Sequence, residues 1–280
     1  MSRRPWVDSM PTLNEIITEA VRDFTENGFD SEDRLRFWME RIRSAAVSAL
    51  VPEGELRTML TARLGADYLR MVERGGMLAM HRGVARYTVD RLKPNMRAEL
   101  DRRIMASANL IKLNRQAAIE KTMQRFSGWA TSIPAGGSDA VDKAETKANI
   151  RKAMGQLPFE ERRVIIDQSH KFVASLNEIV AKNGNALAVE WHSHWRQAGY
   201  NYRKDHKERD GKIYAMRGNW ALEQGLMKKG PAGYYDEITA VGEEVFCRCS
   251  ARYLYALRDL PDDMITQKGK DALAKIRAAM

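Results

Sequence analysis

Histidine and cysteine side chains gather in residues 191–255, and they are the residue types in this chain best suited to bind a metal ion. A deprotonated cysteine and a neutral histidine are ligands that zinc favours. Four such ligands would come from His206, Cys247 and Cys249 together with His192 or His194. Zinc sites usually separate paired cysteines by about two to four residues, whereas these two have a single residue between them. We therefore assign no cofactor from the sequence and favour a strand with two small, reduced, buried thiols, keeping zinc on these residues as the alternative.

The same segment contains the parts of a metal-dependent nuclease. Asp205 could orient His206 as a general base for phosphodiester hydrolysis, and Asn219 or Asp236 could complete a metal site. A His-Asn-His nuclease needs a second histidine downstream, and no histidine follows His206. The chain also lacks a glycine-rich phosphate loop and a serine or cysteine nucleophile motif. We therefore predict no catalytic residue and no enzymatic activity, with a nuclease or other hydrolase centred on His206 as the alternative.

Positive charge is concentrated in the same part of the chain. The formal net charge is +9, and residues 195–230 carry nine lysines and arginines against four acidic residues, with aromatic residues between them. Cations can neutralise phosphates while rings stack on bases, so this pattern is compatible with a nucleic acid, although it also fits a solvated surface over an aromatic core. The predicted DNA-contacting residues are Arg196, Arg203, Lys204, Lys207, Arg209, Lys212 and Arg217.

Composition excludes several classes of protein. The chain is 44% hydrophobic and 30% charged, and it has no apolar run near the roughly 20 residues of a membrane span. Its first residues are not followed by the apolar stretch of a signal peptide, so we expect folding in a cytoplasm and no membrane partner. His81 and His170 stand alone on predicted helices and are interpreted as structural.

Helical periodicity dominates the first two thirds of the chain. Thr12 and Glu15 have the spacing of a capping box at the start of an amphipathic segment that ends near Gly28. Further helices are predicted between Ser31 and Pro52, over 53–73, 95–126, 139–154, 158–182 and 185–198, and from about residue 266. Glycines and short β-prone runs after Tyr200 predict short strands and loops.

These patterns predict a mainly α protein with long helices in the N-terminal two thirds and a small irregular α+β C-terminal module. Residues 132–138 collect Ser, Pro and Gly, which favours a hinge between two halves. The predicted regions are a helical partner-binding region at 1–131, the hinge at 132–138, a helical part at 139–199, the α+β module at 200–260 and a charged helix at 261–280.

One series of residues resembles a known family. An Arg-x-x-His-x-x-x-Asp-Gly stretch is followed, some forty residues later, by a Cys-x-Cys element. The matching residues are Arg203, His206, Asp210, Gly211, Cys247 and Cys249. In type and order they resemble the Mu F-like minor head proteins of tailed bacteriophages, over roughly residues 185–257. The family usually has Asn or Pro beside the first cysteine, where this chain has Phe246.

The resemblance implies a function in phage head morphogenesis. It implies a minor capsid protein bound in several copies to the portal inside the virion head, after assembly in the host cytoplasm. Further partners implied by the resemblance are the major capsid protein or a scaffold protein, and double-stranded DNA. The resemblance also allows that the protein leaves the head with the DNA at infection. We expect the N-terminal helices to bind the portal and the basic C-terminal module to face packaged DNA.

Overall fold

The computed structural model describes residues 11–279, and its first two thirds are helical. The helices are α1 (Leu13–Asn27), α2 (Glu32–Ser48), α3 (Glu53–Tyr68), α4 (Gly76–Met80), α5 (Arg86–Ala130) and α6 (Lys143–Asn183), with a π-helical turn at Leu69–Glu73 after α3. Short elements and a small sheet follow. The predicted fold class, mainly α with long helices before a small α+β module, is confirmed.

The start of α1 shows how local sequence determines an element. The Thr12 hydroxyl accepts a hydrogen bond from the Glu15 backbone at 3.3 Å, and the Glu15 carboxylate accepts one from the Thr12 backbone at 2.7 Å. This capping box satisfies backbone donors that the first turn leaves open. Ile17, Val21 and Phe24 are buried on the inner face of the helix. The predicted capping box and apolar face are both confirmed.

Helices α5 and α6 extend through prolines at which we predicted helix starts. Pro94 lies inside α5 and Pro158 inside α6. Proline removes one backbone donor, which made a boundary the simplest prediction. Val89 and Leu92, before Pro94, are buried. Leu157, before Pro158, is buried as well. Both helices are continuous through their prolines, so the predicted start of α5 at residue 95 and the predicted break between 154 and 158 are wrong.

The described chain forms two compact units. The first comprises the described residues up to Thr58 and Ala108–Val164, and the second comprises Met59–Ser107 and Ile165 to the end of the described chain. The units therefore divide inside helices and not at residues 132–138. Unit 1 has a core formed mainly by α1, α2 and the last part of α5.

The segment 132–138 is an ordered connection within unit 1 rather than a hinge. Ile133 accepts a hydrogen bond from the backbone of Phe29 at 3.2 Å, and Ser138 donates one to Thr25 at 2.8 Å. Gly28 lies so close that an added Cβ would come within 1.9 Å of the Pro134 carbonyl oxygen. The Ser, Pro and Gly content produces a tight turn against the end of α1, which corrects the predicted hinge.

A three-stranded antiparallel sheet forms the centre of the C-terminal module. Its strands are β1 (Ala188–His192), β2 (Ile213–Ala215) and β3 (Ser250–Leu254), in the order β2-β1-β3. Val189 pairs with Tyr214 on one side and Tyr253 on the other. We predicted a helix at 185–198 because the spacing of Leu187 and Trp191 fits one. This prediction is wrong, since residues 188–192 pair with a strand on either side.

The remaining elements of the module are short. They are α7 (Lys204–Glu208), α8 (Trp220–Glu223), α9 (Gln267–Ala278) and 3-10 turns at Tyr235–Glu237, Leu257–Asp259 and Asp262–Met264. Helix α9 begins where predicted, with the Thr266 hydroxyl accepting from the Gly269 backbone at 3.1 Å. Between residues 11 and 279, no helix combines the length and apolarity that a membrane crossing requires.

Candidate functional site

The candidate site lies beside one face of the sheet. Val189, Trp191 and Tyr214 form part of a buried cluster on that face. Helix α7 places the His206 ring against Trp191, edge to face, with ring centroids 5.3 Å apart. The packing fixes the imidazole, which is only 3% exposed. Its orientation is therefore set by the sheet rather than by solvent.

The cysteines lie just before β3, after a sharply turned residue. Phe246 has a φ of +58°, in the left-handed region that asparagine enters more readily than phenylalanine. Its backbone N–H donates to the buried Asp167 carboxylate at 2.7 Å, and its carbonyl accepts from the Tyr200 hydroxyl at 3.2 Å. These contacts hold the turn in place. The position where the resembling family usually has Asn or Pro beside the first cysteine is thus one at which asparagine would relieve strain.

His206, Cys247 and Cys249 converge. The Nδ1 atom of His206 lies 3.4 Å from the Cys249 sulfur and 3.8 Å from the Cys247 sulfur. Cys247 is 1% exposed and Cys249 is 6% exposed. All three potential ligand atoms lie within 4.8 Å of one another. The structure therefore brings together the three residues that the sequence offered as the zinc alternative.

Hydrogen bonding makes the two sulfurs unequal. The Cys249 thiol and the backbone N–H groups of Gly242 and Cys249 bond the Cys247 sulfur, which lowers the pKa of Cys247. The pKa of Cys249 is raised, first because its thiol bonds Cys247 and second because it is buried. The backbone of His194 and the hydroxyl of Ser193 also approach the Cys249 sulfur. These interactions favour the thiolate form of Cys247 and the neutral thiol form of Cys249.

The other imidazole nitrogen faces carboxylates. His206 Nε2 lies 3.7 Å from a Glu244 oxygen and 3.8 Å from an Asp205 oxygen, and it is buried without a hydrogen-bond partner. Glu244 is ion-paired with Arg203, and Asp205 with Arg209 at 2.8 Å. Arg203 also donates to the Val245 carbonyl at 2.9 Å. These interactions join α7 to the loop that carries the cysteines.

Asp210 and Gly211 stabilise the other end of α7. The Asp210 carboxylate accepts from the Ser193 backbone and from the Trp195 indole, each at 2.8 Å. Both bonds lower the pKa of Asp210, with the Trp195 bond the larger cause. Gly211 has a φ of +73° and donates to the Trp191 carbonyl at 2.8 Å. The pair turns the chain from α7 into β2 and anchors the loop that follows β1.

The residues of the family-like motif thus form one connected structure. Arg203 and His206 link α7 to the cysteine loop, and Asp210 and Gly211 link the end of α7 to β1 and the loop after it. Sequence reasoning missed Ser193, Glu244 and Asp167, which complete these links. No motif or spacing marks these three residues, because each interacts with a residue distant in the sequence.

The nuclease set is only partly assembled. The Asn219 side chain caps α8 by accepting from Ala221 and Leu222, each at 3.0 Å, and it donates to two carbonyls. Both the oxygen and the nitrogen of its amide are therefore hydrogen-bonded to the backbone. Asp236 is ion-paired with Arg217. In the described part of the chain, the clusters with metal-ligand geometry are His206–Cys247–Cys249 and Asp205–His206–Glu244, and neither includes Asp236.

Much of the predicted DNA-binding charge is neutralised within the module. Four of the seven cations, Arg196, Arg203, Arg209 and Arg217, are ion-paired with acidic residues of the same module. Lys207 lies over the Trp195 ring, 4.4 Å from its centroid. Lys204 and Lys212 are exposed. The surface positive charge is therefore smaller than the sequence count indicates.

The other histidines lie apart from the metal-ligand cluster. His81 is buried and hydrogen-bonded to Tyr255 and Asn177, as a structural histidine would be. His192 lies near Glu190, and the His194 ring bonds Gln197. Neither of the two histidines considered as a fourth ligand belongs to the cluster. His170 is exposed on α6.

Comparison of the chain with protein-family models, with curated proteins and with solved structures gave no significant match.

Proposed function

We propose that this chain is a minor head protein of a tailed bacteriophage, which binds the portal protein during head assembly and has no catalytic function. The observation that carries the proposal is the meeting of both halves of the family-like motif in one structure. The first half ends at Gly211 and the second begins at Cys247, yet His206 contacts both cysteines. Residues that match a family pattern in order and also pack together support the resemblance more strongly than order alone.

The geometry of the motif favours a structural role over catalysis. His206 is enclosed by Trp191 and the two cysteines, so its Nδ1 is not available to a substrate in this arrangement. A general base must come within hydrogen-bond reach of the proton that it removes. The carboxylates nearest to His206 already pair with arginines.

Unit 1 supplies the surface that the proposal assigns to the portal. Phe37 on α2, Leu113 on α5 and Phe159 on α6 expose between 52% and 60% of their area. Contiguous exposed apolar patches mark interaction sites, and the proposal takes these three side chains as candidates for such a contact. The basic module is the candidate for contact with packaged DNA, through Lys204, Lys207 and Lys212.

The test is co-expression of the full chain with the portal protein from the same genome, followed by size-exclusion chromatography with light scattering. We expect one peak that contains both proteins in fixed stoichiometry. Replacing Phe159 or Leu113 by serine should weaken this complex and leave thermal stability unchanged, whereas Met105→Ser, at an equally exposed apolar residue of unit 2, is the matched control. Separate elution of the two wild-type proteins would contradict the proposal.

A further inference from the structure

We infer that His206 Nδ1, Cys247 Sγ and Cys249 Sγ form a zinc-binding site that fastens α7 to the loop preceding β3. This inference does not depend on the proposed phage function. It rests on ligand chemistry, on interatomic distances, on burial and on the groups that surround the three ligands.

The distances fit a tetrahedral ion. With Zn–S near 2.3 Å and Zn–N near 2.05 Å, a tetrahedral site separates sulfur from nitrogen by about 3.6 Å. The two observed sulfur–nitrogen distances are 3.4 and 3.8 Å. The three ligand atoms are also mutually close enough to share one ion. Both sulfur–nitrogen distances therefore lie within about 0.2 Å of the value expected for a shared tetrahedral ion.

The surroundings of the ligands are those that a zinc site needs. The Ser193 hydroxyl oxygen lies 3.9 Å from the Cys249 sulfur, which is a polar contact to the cluster. The Nε2 atom of His206, buried and without a partner, faces Glu244 at 3.7 Å. A zinc-bound histidine usually donates its other ring N–H to a carboxylate, which orients the ring. Glu244 is therefore placed as that acceptor.

The ligand set favours zinc over cations that prefer oxygen ligands. Thiolates favour zinc over magnesium and calcium, which prefer oxygen ligands. The oxygen-rich alternative around Asp205, His206 and Glu244 is less suitable, because both carboxylates already pair with arginines. Neither His192 nor His194 belongs to the cluster, so among the described residues the cluster supplies three ligands to the ion. The close Cys-x-Cys spacing does not separate the two thiols, because both sulfurs and the imidazole nitrogen of His206 lie within 4.8 Å of one another.

The test uses the full chain, with any affinity tag removed, expressed in zinc-supplemented medium. Metal analysis of the purified protein should give close to one zinc per chain. After replacement of zinc by cobalt, the absorption spectrum should show thiolate-to-cobalt charge transfer and the intense bands of tetrahedral cobalt. Cys247→Ser and Cys249→Ser should each remove about half of the charge-transfer intensity, since each contributes one thiolate. His206→Ala should lower zinc affinity at least tenfold.

Two controls separate metal binding from folding. His192→Ala removes an exposed histidine of the same module and should retain full zinc content. The cobalt spectrum of the wild-type chain requires no substitution, so it decides the matter even where a variant fails to fold. Zinc content below a tenth of an equivalent after reconstitution, or a cobalt spectrum without thiolate charge transfer, would overturn the inference. Equal metal content in the wild type and in the Cys247→Ser/Cys249→Ser double variant would also overturn it.

Discussion

Replacing Asp210 tests whether the motif stabilises the module through hydrogen bonds. The carboxylate accepts from the Ser193 backbone and the Trp195 indole at 2.8 Å each. A hydrogen bond to a charged group contributes ~1.5 kcal/mol at the low end of its range, so Asp210→Ala should cost about 3 kcal/mol. The pair with Arg196 adds little, because that arginine side chain is 77% exposed. Asp210→Asn keeps one neutral acceptor, whose hydrogen bond contributes about 1 kcal/mol, so this substitution should lower the free energy of unfolding by about 2 kcal/mol.

The assay is urea unfolding with pulsed hydrogen exchange, read on peptides from residues 188–215, so that the module is followed separately. Glu208→Ala, at an exposed acidic residue that ends α7 two positions before Asp210, is the control and should change stability by less than about 0.5 kcal/mol. A loss of unfolding free energy below about 0.5 kcal/mol for Asp210→Ala would refute the reasoning. Equal losses for Asp210→Ala and Asp210→Asn would also refute it.

The same carboxylate predicts a pH dependence. The bonds from Trp195 and Ser193 lower the folded-state pKa of Asp210 below its unfolded value of about 3.9. The stability that they supply is therefore complete above the unfolded pKa and is lost as the pH falls through the folded pKa. The difference between wild type and Asp210→Asn should stay constant from near neutral pH to about 5 and shrink towards pH ~3. A difference that grows on acidification would contradict the assignment.

Three further predictions concern the turn, DNA and catalysis. Phe246→Asn should be more stable than Phe246→Ala by about 0.5–1 kcal/mol in urea unfolding, because asparagine tolerates the left-handed backbone; equal stability would count against strain there. If only Lys204, Lys207 and Lys212 contact phosphates, a plot of log DNA affinity against log salt concentration should have a slope no steeper than about −3. A steeper slope would show that the paired arginines also contact DNA. Plasmid DNA incubated with divalent metal should show no nicking that His206→Ala removes, and robust His206-dependent nicking would support the hydrolase alternative.

Sequence alone predicted the helical part well because helical periodicity is a local property. The buried series Ile17, Val21 and Phe24 and the Thr12 cap are visible in any short window. The errors occurred where long-range packing decided the outcome. Pro94 is compatible with a helix whose preceding turn is buried, and residues 188–192 form a strand only because β2 and β3 lie on either side.

The candidate site was predictable in its ligands but not in its supporting groups. His206, Cys247 and Cys249 stood out by residue type, and the structure brings them together. Glu244 and Asp167 are ordinary acidic residues in the sequence, and their roles depend on contacts with residues far along the chain. The basic run was overestimated because a charge count does not show which arginines have acidic partners.

The most direct test of the proposed function is quantitative mass spectrometry of purified phage particles produced from the genome that encodes this chain. We expect the chain to be present in particles purified by density gradient, in several copies per portal ring. We also expect particles made without the chain to retain the portal but to be defective in head assembly or infection. Complete absence of the chain from infectious particles and from their procapsid precursors would contradict the account.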